Sequence, residues 1–304
     1  MVTRKRKFRR KKPAHSIQMT NLPDLFDLSG RVAVVTGGAG LLGAEFCKTL
    51  AQAGAQVVIA DIDGEAALAL AASLDRDWPV VEGLAQFSSS RAIGVPTDVT
   101  SPISVQKMIS RTQVEFNQLD ILVNSAALDP KFDLKHEAIS KLASPFEDFP
   151  LSAWQQAIDV NLTGMFLVCQ AAVRPMLAQG AGTIVNVCSI YGLVGPDQRI
   201  YQKPGEEPQY KPVYYSVTKA GVLGLTRYLA TYYAGKNLRV NALTPGGVYN
   251  SHDETFVQAY SARAVLGRMA EKDEMNGALL FLVSDASAYM TGANLIVDGG
   301  WTAW

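Results

Sequence analysis

A glycine-rich segment directly after a buried apolar run constrains the fold of this chain more than any other feature. Residues 31–36 read RVAVVT, an apolar run typical of a strand buried on both faces of a parallel sheet. Residues 36–43 read TGGAGLLG, and an amphipathic segment over 42–53 follows and ends at Gly54. Glycines at a strand-to-helix turn let the backbone approach a pyrophosphate, which the free N–H groups of the helix attract.

The alternation of apolar runs and helix-period segments continues along the chain. Further strands are predicted at 56–60, 92–95, 120–123, 183–187, 238–243 and 294–297. Further helices are predicted at 64–74, 101–117, 152–177, 213–234 and 271–283. Because strands and helices alternate, we predict an α/β fold with a parallel sheet covered on both faces. No linker interrupts 28–304, so we expect a single domain with inserts near 75–91, 128–150 and 195–212.

Charge is distributed unevenly although the formal net charge is +0. Residues 4–12 read RKRKFRRKK, and residues 1–23 contain no acidic residue. The rest of the chain therefore carries a formal net charge of about −8. We predict that residues 1–27 are a basic, disordered extension. A nucleic-acid-binding arm is the less favoured alternative, and the apolar core of a signal peptide is missing.

Composition narrows the class of protein. Hydrophobic residues make up 48% and charged residues 18% of the chain, as in soluble globular proteins, and no apolar run reaches membrane-spanning length. The cysteines Cys47, Cys169 and Cys188 show no metal-ligand spacing. We therefore expect no metal site and a reducing, cytoplasmic location.

An acidic residue ends the second predicted strand. The segment VVIADID places Asp61 eighteen residues after Gly43, where a carboxylate binds adenosine ribose hydroxyls and repels a 2′-phosphate. No Arg or Lys lies between Thr36 and Leu42 to receive that phosphate, so we predict NAD rather than NADP. Helix capping by Asp61 or by Asp63 is the alternative, and the two roles can be divided between them.

Tyr215 and Lys219 stand four residues apart in YSVTK, on one face of the predicted helix 213–234. A nearby ammonium favours the phenolate and lowers the pKa of a tyrosine, which otherwise titrates near pH 10. Tyr215 can then exchange a proton with an alcohol oxygen as a hydride moves. The motif alone is common by chance, and a buried aromatic on a helix face is its ordinary explanation.

The order and spacing of nine motifs resemble the short-chain dehydrogenase/reductase family. These motifs are TGGAGLLG, Asp61, TDV at 97–99, VNSAA at 123–127, VNLTG at 160–164, VNVCSIYG at 185–192, YSVTK at 215–219, NALTPGG at 241–247 and VDGG at 297–300. The resemblance covers nearly everything from Leu28 onward. It implies a Rossmann-type, doubly wound parallel sheet of seven strands flanked by helices, and an NAD(H)-dependent enzyme that interconverts a secondary alcohol and a ketone.

The resemblance also implies the site. Ser189 would hold the substrate oxygen, and Tyr215 would be the acid/base. Lys219 would bind the nicotinamide ribose and lower the pKa of Tyr215, and Asn161 would position a water in a proton relay from Lys219. The implied cofactor-binding residues are Thr36, Gly37, Gly38, Gly40, Leu42, Gly43, Asp61, Ile62, Asp98, Val99, Asn124, Ala126, Tyr215, Lys219, Pro245, Gly246 and Val248.

The chain departs from the family pattern at four places, one of which is Asn250, where the family often has a threonine five residues after the proline. Leu41 stands where the phosphate loop usually has its middle glycine, and VNSAA replaces the usual Asn-Asn-Ala-Gly. Ser189 and Tyr215 are twenty-six residues apart, about twice the usual gap. The extra residues, roughly 196–212, are expected to rim the substrate mouth.

The two inserts at the mouth predict the type of substrate. Their polar residues favour a polyhydroxylated or phosphorylated ligand, with simple solvent exposure as the alternative. These residues are Asp129, Lys131, Lys135, His136, Asp197, Gln198, Arg199, Lys203 and Lys211. Tyr191, Tyr201 and Tyr214 are expected to stack on a sugar face or to pack the loop.

A narrower resemblance is carried by ALDPKFD at 127–133, SIYGLVGPDQRIY at 189–201 and the ending GGWTAW. These segments look similar to dehydrogenases of bacterial flagellin-modification and legionaminic-acid pathways, which would imply a sugar or sugar-phosphate substrate. The alternatives are a gluconate-type polyol dehydrogenase, a 3-oxoacyl carrier-protein reductase, or an NAD-binding regulatory protein without activity. The family resemblance implies a homo-oligomer, a tetramer or dimer, formed through the helices at 152–177 and 213–234.

Overall fold

The computed structural model describes residues 21–80, 88–129, 144–203, 205 and 207–304. Most of the predicted basic extension and the larger part of the insert at 128–150 therefore lie outside the described residues. Within the remainder of the extension, Pro23–Phe26 form one short 3₁₀ turn.

Seven parallel strands form one sheet, in the order β3-β2-β1-β4-β5-β6-β7. The strands are β1 Val32–Thr36, β2 Gln56–Asp61, β3 Ala92–Pro96, β4 Ile121–Asn124, β5 Gly182–Val187, β6 Leu238–Pro245 and β7 Asn294–Val297. The order reverses between β1 and β4, so the sheet is doubly wound. The predicted Rossmann-type architecture and all seven predicted strands are confirmed.

Helices cover both faces because successive side chains of each buried strand point to opposite sides. The helices are α1 Leu41–Gln52, α2 Gly64–Asp77, α3 Pro102–Phe116, α4 Leu151–Ile158, α5 Met165–Gln179, α6 Val213–Tyr232, α7 Glu254–Ser261 and α8 Asn276–Val283. In β1, Val32 and Val34 belong to the apolar cluster beneath α3, α5 and α6, whereas Ala33 and Val35 belong to the cluster beneath α1, α2 and α8.

Two helical predictions need correction. The predicted helix 271–283 begins only at Asn276, because the preceding residues form a turn in which Asn276 N–H bonds to the Asp273 carbonyl. The sequence did not predict α7 at all. This helix has eight residues and starts at Asp253, whose carboxylate accepts the Phe256 N–H. Such a short helix shows too few turns to reveal its period.

The predicted helix 152–177 is helical from Leu151 to Gln179, but it contains a π-helical segment at Asp159–Gly164 between α4 and α5. A π segment often marks a functional site within a longer helix.

Contrary to the expectation from sequence, the helical stretch from Leu151 to Gln179 is long and apolar enough to cross a membrane by length and composition alone. However, α5 contributes Val168, Ala172 and Met176 to the core, as the central helix of a soluble protein does.

Candidate active site

The parallel sheet brings the predicted site residues to one edge. Thr36 ends β1, Asn124 ends β4, Val187 ends β5 and Pro245 ends β6, so all four strands deliver their carboxyl ends together. Ligands of open α/β sheets bind in the crevice at this edge, next to the point where the strand order reverses.

The glycine segment after β1 forms a tight cradle at that edge. A Cβ on Gly43 would stand 2.0 Å from the Gly37 carbonyl oxygen, and one on Gly37 would stand 2.7 Å from the Ala126 Cα. Gly37 also has a φ of 63°, in the left-handed region that favours glycine. Gly38 is equally confined, since its Cβ would meet the Val35 carbonyl at 2.9 Å. These glycines are therefore required for the loop to fold as it does.

The departure at Leu41 leaves this loop intact. Gly40 is the N-cap of α1, and Leu41 is the first residue of that helix. Its φ is not among the positive values, and its side chain is 40% exposed. The next residue, Leu42, is half-buried within the first turn. A leucine at position 41 therefore meets neither backbone strain nor a steric conflict.

Asp61 and Asp63 have separate roles. Asp63 is the N-cap of α2 and accepts the Ala66 N–H at 3.0 Å. Asp61, the last residue of β2, accepts the Ala39 N–H from the glycine loop at 2.9 Å and the Asp63 N–H at 3.0 Å. The capping alternative thus applies to Asp63, while the carboxylate of Asp61 lies against the cradle.

Three of the predicted cofactor-binding residues, Ile62, Asp98 and Val99, follow the ends of β2 and β3. Ile62 follows Asp61 and is 79% exposed. Asp98 is half-buried, and its Oδ1 accepts both the N–H and the hydroxyl of Thr100. Val99 is buried beside it. These three residues stand at the same edge as the cradle.

The ends of β1 and β4 are tied together. The Thr36 hydroxyl accepts the Ala126 N–H at 3.4 Å. Asn124 donates through Nδ2 to Asn186 Oδ1 on the neighbouring β5 at 2.9 Å. Its own Oδ1 is buried and has no hydrogen-bond partner among the described residues. Asn124 therefore joins the two central strands, β4 and β5.

Tyr215, Ser189 and Lys219 meet at the carboxyl end of β5. The Ser189 hydroxyl accepts the Tyr191 N–H at 3.3 Å and lies close enough to the Tyr215 phenol to lower the pKa of that phenol. Lys219 Nζ lies 5.7 Å from the centroid of the Tyr215 ring and donates to the Val187 carbonyl at 3.0 Å. All three side chains are buried. The predicted four-residue spacing on α6 thus brings the phenol and the ammonium together beside the serine hydroxyl.

The direction of the pKa shift differs from the prediction. Burial raises the pKa of Tyr215 well above its ordinary value, nearby Asp129 raises it further, and the Ser189 side chain opposes both. Burial also lowers the pKa of Lys219. The expected lowering of the Tyr215 pKa is therefore wrong for this structure, because enclosure of the phenol outweighs the effect of the neighbouring ammonium.

Asn161 lies in the π-helical segment and is fully buried. Its Oδ1 accepts the Leu128 N–H at 2.7 Å, and its Nδ2 donates to the Leu128 carbonyl and the Thr218 hydroxyl, each at 3.2 Å. Thr218 is the immediate neighbour of Lys219. The amide therefore joins the segment after β4 to α6, and its predicted role in a proton relay stays a prediction.

The residues predicted at the nicotinamide end follow β6. Pro245 is buried, the Gly246 N–H donates to the Val297 carbonyl at 2.9 Å, and Val248 pairs with Ala270. The N–H of Gly247 donates to the Tyr260 hydroxyl. This end of the crevice is therefore rigidly bonded to β7 and α7.

Aromatic residues that sequence reasoning missed line the same end. The Tyr260 ring stacks on Trp301 with centroids 4.2 Å apart, and Phe256 stacks on His252 at 5.0 Å. Both Tyr260 and Phe256 come from the unpredicted α7. Their four-residue spacing on one helix face was the only available sign in the sequence.

The three tyrosines expected to stack on a sugar or to pack the loop are buried. Tyr191 and Tyr201 are each 6% exposed and share a hydroxyl hydrogen bond of 2.8 Å. Tyr191 also meets the Tyr215 ring edge-on at 6.5 Å. Tyr214 is 1% exposed, and its hydroxyl has no hydrogen-bond partner among the described residues. Loop packing is thus the alternative that the structure supports.

The basic residues of the inserts are paired with acids. Lys211 Nζ lies 2.5 Å from Asp129 Oδ1, and Lys203 Nζ lies 3.2 Å from Asp253 Oδ2. Asp197 pairs with Arg199 at 2.7 Å and also with Arg263. The backbone groups of Lys211 bond to the Gln198 side chain. The predicted rim residues Lys131, Lys135 and His136 lie outside the described residues.

Metal-binding side chains do not cluster in the described part of the chain. Over residues 21–80, 88–129, 144–203, 205 and 207–304, no group of three His, Cys, Asp or Glu side chains could hold a metal ion. The three cysteines are buried and unpaired there.

The chain belongs to the short-chain dehydrogenase/reductase family. Residues 38–302 match the family model described as enoyl-(acyl carrier protein) reductase. The chain is 38% identical to cis-4-hydroxycyclohexanecarboxylate dehydrogenase of Sinomonas cyclohexanicum, over 90% of this chain and 97% of the relative. It is 35% identical to D-threitol dehydrogenase of Mycolicibacterium smegmatis, over 91% and 95% of the two chains.

Solved structures of similar proteins share the fold. A gluconate 5-dehydrogenase from Burkholderia cenocepacia, in complex with NADP and tartrate, superposes with a TM-score of 0.78 at 29% identity, covering 93% of this chain and all of the other. A short-chain dehydrogenase from Leptospira borgpetersenii with bound NAD⁺ superposes with a TM-score of 0.74 at 29% identity, covering 96% and 100%.

Substitution of Gly43 tests the cradle. In Gly43→Ala the new Cβ would collide with the Gly37 carbonyl, so we expect the free energy of unfolding to fall by about 1–3 kcal/mol. The matched control is Gly277→Ala on α8, where a Cβ meets nothing within 4 Å, and alanine should raise stability by up to about 1 kcal/mol. Urea unfolding measures both variants. Equal stability of the two would show that Gly43 is not confined.

Proposed function

We propose that this enzyme is an NAD(H)-dependent oxidoreductase that interconverts a secondary alcohol and a ketone on an uncharged, polyhydroxylated substrate. The observation that carries the reaction class is the convergence of the Ser189 hydroxyl and the Lys219 ammonium on the Tyr215 phenol. The family contains enzymes named as dehydrogenases of hydroxylated compounds, including the threitol and cyclohexanecarboxylate enzymes. A regulatory protein without activity is disfavoured because the reactive groups are assembled.

The residues at the end of β5 suit proton exchange with a substrate oxygen. When bound, nicotinamide accepts or donates the hydride. In carbonyl reduction, the Tyr215 phenol gives its proton to the oxygen that gains negative charge, and Ser189 donates a hydrogen bond to the same oxygen. In alcohol oxidation, the phenolate takes the hydroxyl proton. The raised pKa of Tyr215 therefore favours reduction at neutral pH and makes oxidation faster as the pH rises.

The residues present fit a dinucleotide. Three glycines confined by neighbouring backbone leave room for a pyrophosphate above the start of α1. Asp61 lies beside this cradle, where its carboxylate would accept ribose hydroxyls and repel a 2′-phosphate. Tyr215 and Lys219 would contact the nicotinamide half of the dinucleotide. The residues that would contact its remaining parts are Thr36, Gly37, Gly38, Gly40, Leu42, Gly43, Ile62, Asp98, Val99, Asn124, Ala126, Pro245, Gly246 and Val248. The similar gluconate 5-dehydrogenase was solved in complex with NADP, so the preference of this chain for NAD over NADP needs a direct test.

Charge pairing in the inserts supports an uncharged substrate. Lys203, Lys211, Arg199 and Arg263 all pair with carboxylates, so within the described residues these cations are neutralised before a ligand arrives. A phosphate would have to displace Asp129, Asp197 or Asp253 to be bound by them. Hydroxyl groups can instead bond to these ion pairs without disrupting them.

Other features are proposed from the sequence alone, and of these the oligomeric state rests on the family resemblance. We propose a cytoplasmic homo-oligomer that associates through the helices at 152–177 and 213–234. Residues 28–304 would form a single domain, preceded by the basic extension. The narrower resemblance to flagellin-modification and legionaminic-acid dehydrogenases stays a prediction.

Removing one phenol oxygen tests the reaction. Tyr215→Phe should lower turnover by about a hundredfold or more, because proton transfer typically contributes that much, while binding of NADH, followed by fluorescence, persists. Tyr214→Phe is the matched control, because it removes the neighbouring hydroxyl that has no hydrogen-bond partner among the described residues. Near-normal turnover of Tyr215→Phe would reject the proposed function.

Cofactor choice is tested at β2. Asp61→Asn removes the charge that repels a 2′-phosphate, so the ratio of kcat/KM for NAD to that for NADP should fall by about tenfold or more. Asp63→Asn keeps a helix-capping side chain and should leave this ratio unchanged. Steady-state kinetics with each cofactor provide the measurement. An unchanged ratio in Asp61→Asn would show that Asp61 does not select the cofactor.

Substrate charge is tested with matched pairs. Polyols and sugars should be turned over with kcat/KM at least about tenfold higher than their phosphorylated forms, because the rim cations are already paired. Absorbance of reduced nicotinamide follows each reaction, and the panel includes hydroxycyclohexanecarboxylates and 3-ketoacyl thioesters. Preference for a phosphorylated sugar or for an acyl thioester would contradict the proposed substrate class.

A further inference from the structure

A second ammonium group, which the reaction above does not use, lies over the ring of Tyr215. Lys211 Nζ is 4.0 Å from the ring centroid, closer than Lys219 Nζ at 5.7 Å. The Lys211 side chain is only 8% exposed, although it belongs to the insert at 195–212. A desolvated ammonium over an aromatic face is attracted by the electron-rich ring and is screened little by solvent.

The structure holds Lys211 in this position from two sides. Its Nζ pairs with Asp129 Oδ1 at 2.5 Å, and Asp129 belongs to the segment after β4. Its backbone N–H donates to Gln198 Oε1 at 2.8 Å, and its carbonyl accepts from Gln198 Nε2 at 3.0 Å. The lysine stands just before α6, which begins at Val213 and carries Tyr215. The ammonium is therefore placed by both inserts against the catalytic ring.

We propose that Lys211, held by Asp129, is a positioning residue for proton transfer: its ammonium stabilises the negative charge that forms on Tyr215 when the phenol releases its proton. This inference rests on the proposed function, in which Tyr215 exchanges a proton with the substrate oxygen. Part of the charge of a phenolate is spread over the ring, so a cation above the ring face is well placed to stabilise it. The negative charge of Asp129 opposes this effect. The charges of Lys211 and Asp129 together therefore determine how readily the Tyr215 phenol releases its proton.

The groups that face Tyr215 come from several elements. They are Lys219 on α6, Cys188 and Ser189 after β5, Tyr191 and Tyr201 in the loops, Asp129 after β4, Lys211 before α6, and His252 before α7, which faces the Lys211–Asp129 pair. Burial raises the pKa of Cys188 and of Tyr201, and it raises the pKa of Tyr191 to about 12. Burial lowers the pKa of His252. These four groups are thus neutral near pH 7. Within the described part of the chain, the charges that remain close to Tyr215 are those of Lys211, Lys219 and Asp129.

Charge-changing variants in opposite directions test this proposal. Lys211→Met removes the cation, so the pH dependence of alcohol oxidation should move to higher pH by about one unit. Lys211→Arg keeps the cation and should stay near the wild-type profile. Asp129→Asn removes the negative charge of the carboxylate beside the cation and should move the profile to lower pH. The control, Arg76→Met, removes a cation paired with Asp77 on α2 and should leave the profile unchanged.

A second readout does not depend on turnover. Carbon-13 labelling of the tyrosine ring carbon that bears the hydroxyl allows the phenol to be titrated by NMR, with the Tyr215 signal assigned from Tyr215→Phe. The Tyr215 signal should titrate at higher pH in Lys211→Met and at lower pH in Asp129→Asn.

Unchanged profiles and unchanged titration in both variants would overturn the role of Lys211, while a hundredfold loss in Tyr215→Phe would leave the proposed function standing. If Lys211→Met does not fold, the Asp129→Asn variant alone tests the proposal. The proposal then requires its pH profile of alcohol oxidation to move to lower pH. Shifts in the same direction for Lys211→Met and Asp129→Asn would indicate a structural effect and would also reject the proposal.

Discussion

Enclosure of the Tyr215 phenol is the constraint on which the site depends. A phenol surrounded by Ser189, Tyr191 and two lysines is withdrawn from water, and burial holds its proton in place. The same enclosure strengthens every charge interaction within it, because solvent no longer screens the ammonium groups. The site therefore both keeps the proton and provides the charges that ease its release.

The parallel sheet explains how distant residues reach this enclosure. β5 delivers Ser189, α6 delivers Tyr215 and Lys219, and the segment after β4 delivers Asp129. The amide of Asn161, placed by the π-helical segment, bonds to Leu128 in the segment after β4 and to Thr218 on α6. One buried amide thus fixes Leu128, which precedes Asp129, relative to the helix that carries the phenol.

The sequence predicted the sheet and the core of the site well, for physical reasons. Strands such as β1 are buried on both faces and appear as continuous apolar runs, and the glycine segment is confined by backbone contacts that only glycine tolerates. The four-residue spacing of Tyr215 and Lys219 on one helix fixes their proximity. These features depend on local geometry, so each of them can be predicted from the residues of one short segment.

Features that depend on long-range contacts escaped prediction. The Lys211–Asp129 pair joins residues 82 positions apart, and α7 is too short to show a period. The direction of the Tyr215 pKa shift depends on how completely the phenol is enclosed, which the motif itself does not reveal. Polar loop residues predicted a hydrophilic mouth, but the pairing of Lys203 with Asp253 and of Lys211 with Asp129 joins distant positions and leaves no local pattern in the sequence.

A crystal structure of the complex with NAD and an unreactive polyol would test the central claim most directly. We expect a substrate oxygen within hydrogen-bond distance of both the Tyr215 phenol and the Ser189 hydroxyl, with its carbon facing the nicotinamide ring and the pyrophosphate over the Gly37–Gly43 cradle. A dinucleotide bound elsewhere, or a substrate oxygen out of reach of Tyr215, would contradict the account.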